Sequence, residues 1–185
     1  MFPGTFNPVT RAHVALAHAA LASVDEVVFV LPRELPHKTF EGASFEDRVR
    51  MLEAALADEP TFSIAASRGG LFIEIARECR EAYGAETELY FLCGRDAAER
   101  IVNWDYGREG AIEEQLSEYQ LLVAPRQGCY EAPGRLRARV HALAGGYDNI
   151  SASEVRRRIK SGEAWEELVP EGIVDLVRLI FKARF

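Results

Sequence analysis

The sequence predicts an α/β protein with a Rossmann-like, doubly wound parallel sheet and a helical C-terminal segment. Apolar runs of strand length alternate with stretches of helical composition along the chain. One run, Glu26–Leu31, is apolar almost throughout, as expected of a strand that is buried on both faces. Three glycine- or proline-containing segments each follow a predicted strand, where ligands of such sheets bind: Gly4–His13, Pro32–Lys38 and Gly94–Trp104.

The elements follow one another in a regular order. Ala12–Ala22 is rich in Ala and Leu and predicts a helix, and Glu26–Leu31 is the buried strand. Ser44-Phe45-Glu46-Asp47 forms a capping box, which predicts a helix to about Ala57. The remaining predicted strands are Phe62–Ala66, Glu88–Cys93 and Tyr119–Ala124, and the remaining predicted helices are Ile73–Ala82, a stretch around Glu109–Leu116, and Gly172–Ala183.

From about Arg135 onward we expect a mainly helical chain, within a single domain that covers residues 1–185. The first strand is the exception to the regular pattern. Only Met1-Phe2-Pro3 precede Gly4, and proline cannot donate to a sheet ladder. The first strand is therefore either very short or begins upstream of this Met1.

The bulk composition excludes several classes of protein. The chain is 48% hydrophobic and 28% charged, and its net charge of −7 argues against a general nucleic-acid binder. The three cysteines, Cys79, Cys93 and Cys129, form no C-x-x-C pair, which predicts free thiols in a reducing compartment. The sequence has no run of 18 apolar residues and no signal peptide, so we expect a cytoplasmic protein without a membrane partner. It makes no prediction of oligomeric state.

The most informative segment is the turn at Gly4–His13, which opens the first predicted helix. Unpaired backbone N–H groups and the positive end of the helix dipole meet at such a turn. Thr10 and His13 are three residues apart, so their side chains share one face of the first helical turn. A phosphate on the turn would contact both. The alternative is that Thr10 is a simple N-cap and His13 a half-buried helix histidine.

Two segments of the chain resemble the nucleotidyltransferase superfamily. Gly4–His13 is similar to its phosphate-binding signature G-[TS]-F-[DN]-P-[IV]-[HT]-x-x-H, and Ile150–Arg156 is similar to its second signature I-S-S-T-x-I-R. Three further segments resemble the nicotinate and nicotinamide mononucleotide adenylyltransferases. Leu31–Lys38 resembles their P-x-x-x-P-H-K loop, Gly94-Arg95-Asp96 with Trp104 their G-x-D…W segment, and Val123–Gly128 their strand ending in R-P-G.

The resemblance implies an adenylyltransferase of NAD biosynthesis, which transfers AMP from ATP to nicotinate or nicotinamide mononucleotide and releases pyrophosphate. Mg²⁺ is implied with ATP as substrate, and no set of protein ligands for a metal is evident. Carried over onto this chain, the catalytic residues are His13, Thr10 and Arg156. The residues expected at ATP are Gly4, Thr5, Phe6, Thr10, His13, Gly94, Asp96, Ile150, Ser151, Ser153 and Arg156, and those expected at the mononucleotide are Asn7, His37, Lys38, Trp104 and Arg126.

Several alternatives remain open for these residues. Ser151–Glu154 also fits a helix capping box, with Arg157, Arg158 and Lys160 on a solvated face. Trp104 is either a core aromatic or a platform on which a pyridine ring stacks.

The clearest departure from the family pattern is Gly70–Ile75. Nicotinate mononucleotide adenylyltransferases usually carry a segment like S-Y-T-x-x-T there, and apolar side chains replace its hydroxyl groups in this chain. The departure leaves two other functions open. One is transfer to another phosphorylated acceptor such as phosphopantetheine, and the other is nucleotide binding without turnover.

Overall fold

A computed structural model describes residues 1–34, 42–125, 130–143 and 150–182 of the chain. The strands are β1 (Phe2–Pro3), β2 (Val27–Pro32), β3 (Phe62–Ser67), β4 (Tyr90–Gly94), β5 (Gln120–Ala124) and β6 (Val140–Ala142). The helices are α1 (Arg11–Ala20), α2 (Phe45–Ala55), α3 (Phe72–Tyr83), α4 (Arg95–Asn103), α5 (Ala111–Glu118), α6 (Ala152–Ser161) and α7 (Val174–Lys182). Within these ranges no helix is long and apolar enough to cross a membrane.

The strands are parallel and lie in two groups, in the orders β1-β2-β3 and β4-β5-β6. Met1 joins the groups, because its N–H donates to Tyr90 O at 2.6 Å and its carbonyl accepts from Leu92 N at 2.9 Å. The strand order is therefore 3-2-1-4-5-6, and its direction reverses between β1 and β4. In such sheets the ligand crevice opens at this reversal, beyond the carboxyl ends of the strands. This is the predicted Rossmann-like fold.

The central strand β1 is only two residues long, and its proline is accommodated by its position. Hydrogen bonds of a parallel strand alternate between its two neighbours. Met1 bonds to β4, and Gly4 N donates to Val30 O of β2 at 3.0 Å. Pro3 therefore falls on the β4 side, where its missing N–H removes a single ladder bond.

The region after Arg135 differs from the prediction. It was expected to be mainly helical, but Val140–Ala142 forms β6, which pairs with β5 through Leu121 and Val140. Burial of Val140 at this sheet edge stabilises a strand that is too short to show a sequence period. Helical structure predominates only from Ala152 onward.

The core lies on both faces of the sheet. Val27, Phe29 and Leu31 of β2 point to a cluster that includes residues of α1, α2, α6 and α7, whereas Val28 and Val30 point to a cluster with residues of α3, α4 and α5. This alternation explains why the whole of β2 is apolar.

Burial raises the pKa of the Cys93 thiol to about 12, so this free thiol is a packing residue.

Candidate active site

The turn before α1 places the Thr10 and His13 side chains against each other. Thr10 is the N-cap of α1, and its Oγ1 lies 2.8 Å from His13 Nδ1. The Thr10 N–H also donates to His13 Nδ1 at 3.0 Å. The predicted shared face is confirmed. Because Nδ1 accepts a backbone N–H, the neutral ring carries its proton on Nε2, which is therefore the donor nitrogen of the imidazole.

Aromatic packing beneath the turn fixes its path. Phe6 is buried and has a φ of 45°, in the left-handed region that non-glycine residues rarely occupy. Its ring lies 5.3 Å from the His13 ring and 5.6 Å from the Phe2 ring, between centroids. A Cβ on Gly4 would come within 2.8 Å of Phe6 Cζ, so glycine is required there. The Phe6 ring thus supports both the turn and the imidazole.

The second sequence signature reaches the same turn through Arg156 of α6. Its Nη1 donates to the carbonyl oxygen of Asn7 at 2.5 Å, and its Nη2 donates to Ser153 Oγ at 3.2 Å. Asn7 and Arg156 are 149 residues apart in the sequence, and their contact shows that the two signatures meet in space. Partial burial lowers the pKa of Arg156, and no carboxylate among the described residues pairs with it. Arg156 therefore places beside the turn a positive charge that no described carboxylate neutralises.

The other cations of α6 are engaged elsewhere. Ser151 is the N-cap of α6, and its Oγ accepts from Glu154 N at 3.1 Å. The Glu154 carboxylate turns outward and accepts from Arg157 and Arg158 at 2.9 Å each, which lowers the pKa of Glu154 to about 2. Arg157 and Arg158 therefore belong to a surface ion-pair network, as the solvated-face alternative predicts, and Arg156 does not.

The family assignment agrees with this geometry. The cytidylyltransferase-like family matches residues 1–158 of the chain. The chain belongs to the cytidylyltransferase-like family.

Curated relatives cover almost the whole of this family member. The "Probable nicotinate-nucleotide adenylyltransferase" of Citrifermentans bemidjiense is 30% identical over 201 residues, which cover 95% of this chain and 93% of the relative. The protein of the same name from Salinispora arenicola is 31% identical over 188 residues, or 94% of this chain and 95% of the relative.

A solved structure shows the same fold. Nicotinic acid mononucleotide adenylyltransferase of Plasmodium falciparum, complexed with NaAD, superimposes with a TM-score of 0.72 at 16% sequence identity. The match covers 95% of this chain and 92% of the other.

On the other side of the strand reversal, β4 ends at Gly94, which is also the N-cap of α4. A Cβ on Gly94 would meet no atom of the described residues within 4 Å. Asp96 and Trp104 border a shallow depression on α4, together with Glu99, Arg100 and Asn103. Trp104 is 58% exposed, which excludes the alternative of a core aromatic.

The apolar segment at the start of α3 has mainly a packing role. Phe72 stacks on Phe91 with ring centroids 4.4 Å apart, and Ile75 is buried. Leu71 is 45% exposed, and its N–H donates to the Glu74 carboxylate at 3.1 Å. Two of the three apolar side chains that replace the family's hydroxyl groups therefore point into the core.

Of the remaining predicted site residues, the structure describes Asn7 and Ile150 but not three of those expected at the mononucleotide. Asn7 is buried, and its Oδ1 accepts from Ala43 N at 3.0 Å, so its side chain ties the turn to the segment before α2. Ile150 is half-buried and packs against the core. Three predicted contacts of the mononucleotide, His37, Lys38 and Arg126, lie outside the described residues.

Sequence reasoning missed Arg48 of α2, which is only 4% exposed. Its Nη1 donates to the carbonyl oxygen of Thr5 at 3.1 Å. A signal for this residue is present in the sequence. Arg48 stands on the same helical stripe as Phe45 and Leu52, at spacings of three and four residues, where a buried helix face carries apolar side chains.

Proposed function

We propose that the chain transfers AMP from ATP to nicotinate mononucleotide and releases pyrophosphate. The observation that carries the proposal is the meeting of His13, Thr10 and Arg156 at one turn beside the strand reversal. The names of the curated relatives and of the superimposed structure support the choice of reaction and acceptor.

The reaction needs no nucleophile from the protein. A phosphate oxygen of the mononucleotide attacks the α-phosphorus of ATP, and the bond from that phosphorus to the bridging oxygen breaks. The electron pair leaves with pyrophosphate. The chain must therefore hold the two reactants in line and stabilise the additional negative charge of the transition state.

The described residues supply suitable donors for that charge. His13 Nε2–H would donate to a non-bridging phosphate oxygen beside the N–H groups at the start of α1. Arg156 and Ser153, at the start of α6, would bind the β- and γ-phosphates. Within the described ranges no three His, Cys, Asp or Glu residues are grouped to hold a metal. We expect Mg²⁺ to arrive with ATP, as part of the substrate.

Trp104 is our candidate for the pyridine ring of the acceptor. It is exposed at the C-terminal end of α4, the helix that follows β4, and exposed aromatic rings provide stacking surfaces. The start of α3 offers no side-chain hydroxyl to the ring substituent. A site that lacks polar partners discriminates weakly between polar substituents. We therefore expect activity with both mononucleotides, with weaker preference for the nicotinate form than the family usually shows.

The test is pyrophosphate release with ATP or CTP against nicotinate mononucleotide, nicotinamide mononucleotide and phosphopantetheine. Turnover with ATP and either pyridine mononucleotide supports the proposal. Turnover with phosphopantetheine alone would replace the acceptor. Titration calorimetry of both mononucleotides in the presence of a non-hydrolysable ATP analogue tests binding separately. Binding of the analogue without turnover of any acceptor would indicate a nucleotide-binding module.

A further inference from the structure

We propose that Arg48 is a positioning residue that orients the phosphate-binding turn for catalysis, an inference that rests on the proposed function. The guanidinium group is buried beneath the turn. Its Nη1 donates to Thr5 O at 3.1 Å, and its Nε donates to Ser44 O at 3.4 Å. Its Cζ lies 5.4 Å from the centroid of the Phe45 ring. A side chain on α2 therefore fixes the backbone of the turn before α1.

The bond to Thr5 O determines where the next N–H group points. In a trans peptide the carbonyl and the following N–H point in opposite directions. Holding Thr5 O toward α2 thus directs the Phe6 N–H away from α2. Within the part of the chain that the structure describes, the Phe6 N–H has no hydrogen-bond acceptor. The bond to Thr5 O therefore sets the orientation of this peptide, and with it the path of the turn toward Thr10 and His13.

Arg48 and Arg156 hold the same turn from two helices. Arg156 donates to Asn7 O from α6, and Arg48 donates to Thr5 O from α2. The two differ in exposure, because Arg48 is only 4% exposed whereas Arg156 is partly accessible. Arg48 therefore acts through the turn. Burying a guanidinium carries a desolvation penalty, which argues that its hydrogen bonds serve more than stability.

The test compares R48M, which removes the donors, with R48K, which retains one, and with R50M as a matched control on α2. Arg50 is exposed and pairs with Asp47. We expect R48M to lower kcat by about 10²-fold, as misplacement of catalytic groups does. R48K should recover part of that loss, and R50M should retain the wild-type kcat. All rates are measured well below each variant's Tm.

A double-mutant cycle with H13A separates positioning from simple stability. If Arg48 positions the turn that carries His13, R48M costs much less in the H13A background than in the wild type. Equal fold-losses in both backgrounds, or losses that match the unfolded fraction, would overturn the proposal. If R48M does not fold, the same double-mutant cycle with H13A is measured with R48K.

The two proposals can fail independently. An active wild type with an uncoupled cycle refutes the role of Arg48 alone. If the wild type turns over no acceptor, the proposed function fails, and the role of Arg48 is then judged by the affinity for a non-hydrolysable ATP analogue. R48M should weaken that affinity at least about tenfold relative to R50M, because the phosphate-binding turn loses the hydrogen bond that fixes its backbone at Thr5 O. Equal affinities would refute the positioning role.

Discussion

Replacement of His13 by Ala or by Glu separates its proposed catalytic role from its structural role. Alanine removes the acceptor of the Thr10 N–H, worth about 1 kcal/mol, and the ring contacts with Phe2 and Phe6, worth about 0.5–1.5 kcal/mol each. We therefore expect H13A to lose about 2–4 kcal/mol of stability, or roughly 5–15 °C in Tm for a chain of this size. Glutamate at this position is the capping-box residue, so H13E keeps the acceptor and loses less stability.

H13E should be the more stable of the two variants but not the more active one. Both variants lose the Nε2–H donor, which is worth about 10²-fold in kcat. H13E in addition places a negative charge beside the phosphates, so its kcat should be at or below that of H13A. Pyrophosphate release gives kcat, and scanning calorimetry gives Tm. If H13E were more active than H13A, or if either variant turned over at the wild-type rate, His13 would be a structural residue and the assignment would be refuted.

Two further predictions concern α6. R156A should weaken ATP binding by about 1.5–3 kcal/mol more than AMP binding, because the Arg156 guanidinium is assigned to the distal phosphates. R157A, which removes an arginine of the surface network, is the control. Equal losses for ATP and AMP would place Arg156 elsewhere. E154Q should lower the Tm at pH 6 and have a much smaller effect near pH 2 in calorimetric scans. The folded-state pKa of Glu154 is about 2, so its ion pairs contribute above the unfolded pKa of about 4.5 and are lost as the pH falls through about 2. A pH-independent difference would contradict the assigned pairs.

The local parts of the site were predictable because they depend on short-range geometry. The spacing of Thr10 and His13 determines that they share a helical face, and the structure confirms it. The capping role of Ser44 follows in the same way, since its Oγ accepts from Asp47 N at 3.0 Å. Such features involve three or four consecutive residues, so tertiary packing has little opportunity to override them.

The features that sequence reasoning missed depend on distant partners. The strand at Val140–Ala142 is three residues long and exists because β5 offers a free edge. Arg48 stands on the buried stripe of α2, but the sequence does not identify its acceptor, Thr5 O, which lies 43 residues away along the chain. The resemblance of both segments to one superfamily predicted a shared site, but it did not predict the contact of Arg156 with Asn7 O. No local pattern identifies a partner 149 residues away.

The departure at Gly70–Ile75 has a different meaning once the packing is known. Phe72 and Ile75 are apolar because α3 presents them to β4 and the core, and not because the acceptor demands apolar partners. Leu71 is the one exposed apolar side chain of this segment, and it lies beside the Glu74 carboxylate that caps its N–H. The candidates for contact with the acceptor are therefore no longer all six residues of Gly70–Ile75. They are the residues Leu71–Glu74, at the start of α3, and the exposed ring of Trp104. If the proposed acceptor site is correct, we expect substitutions at Leu71 and Trp104 to change the relative activity with the two mononucleotides, and substitutions at Phe72 to change stability instead.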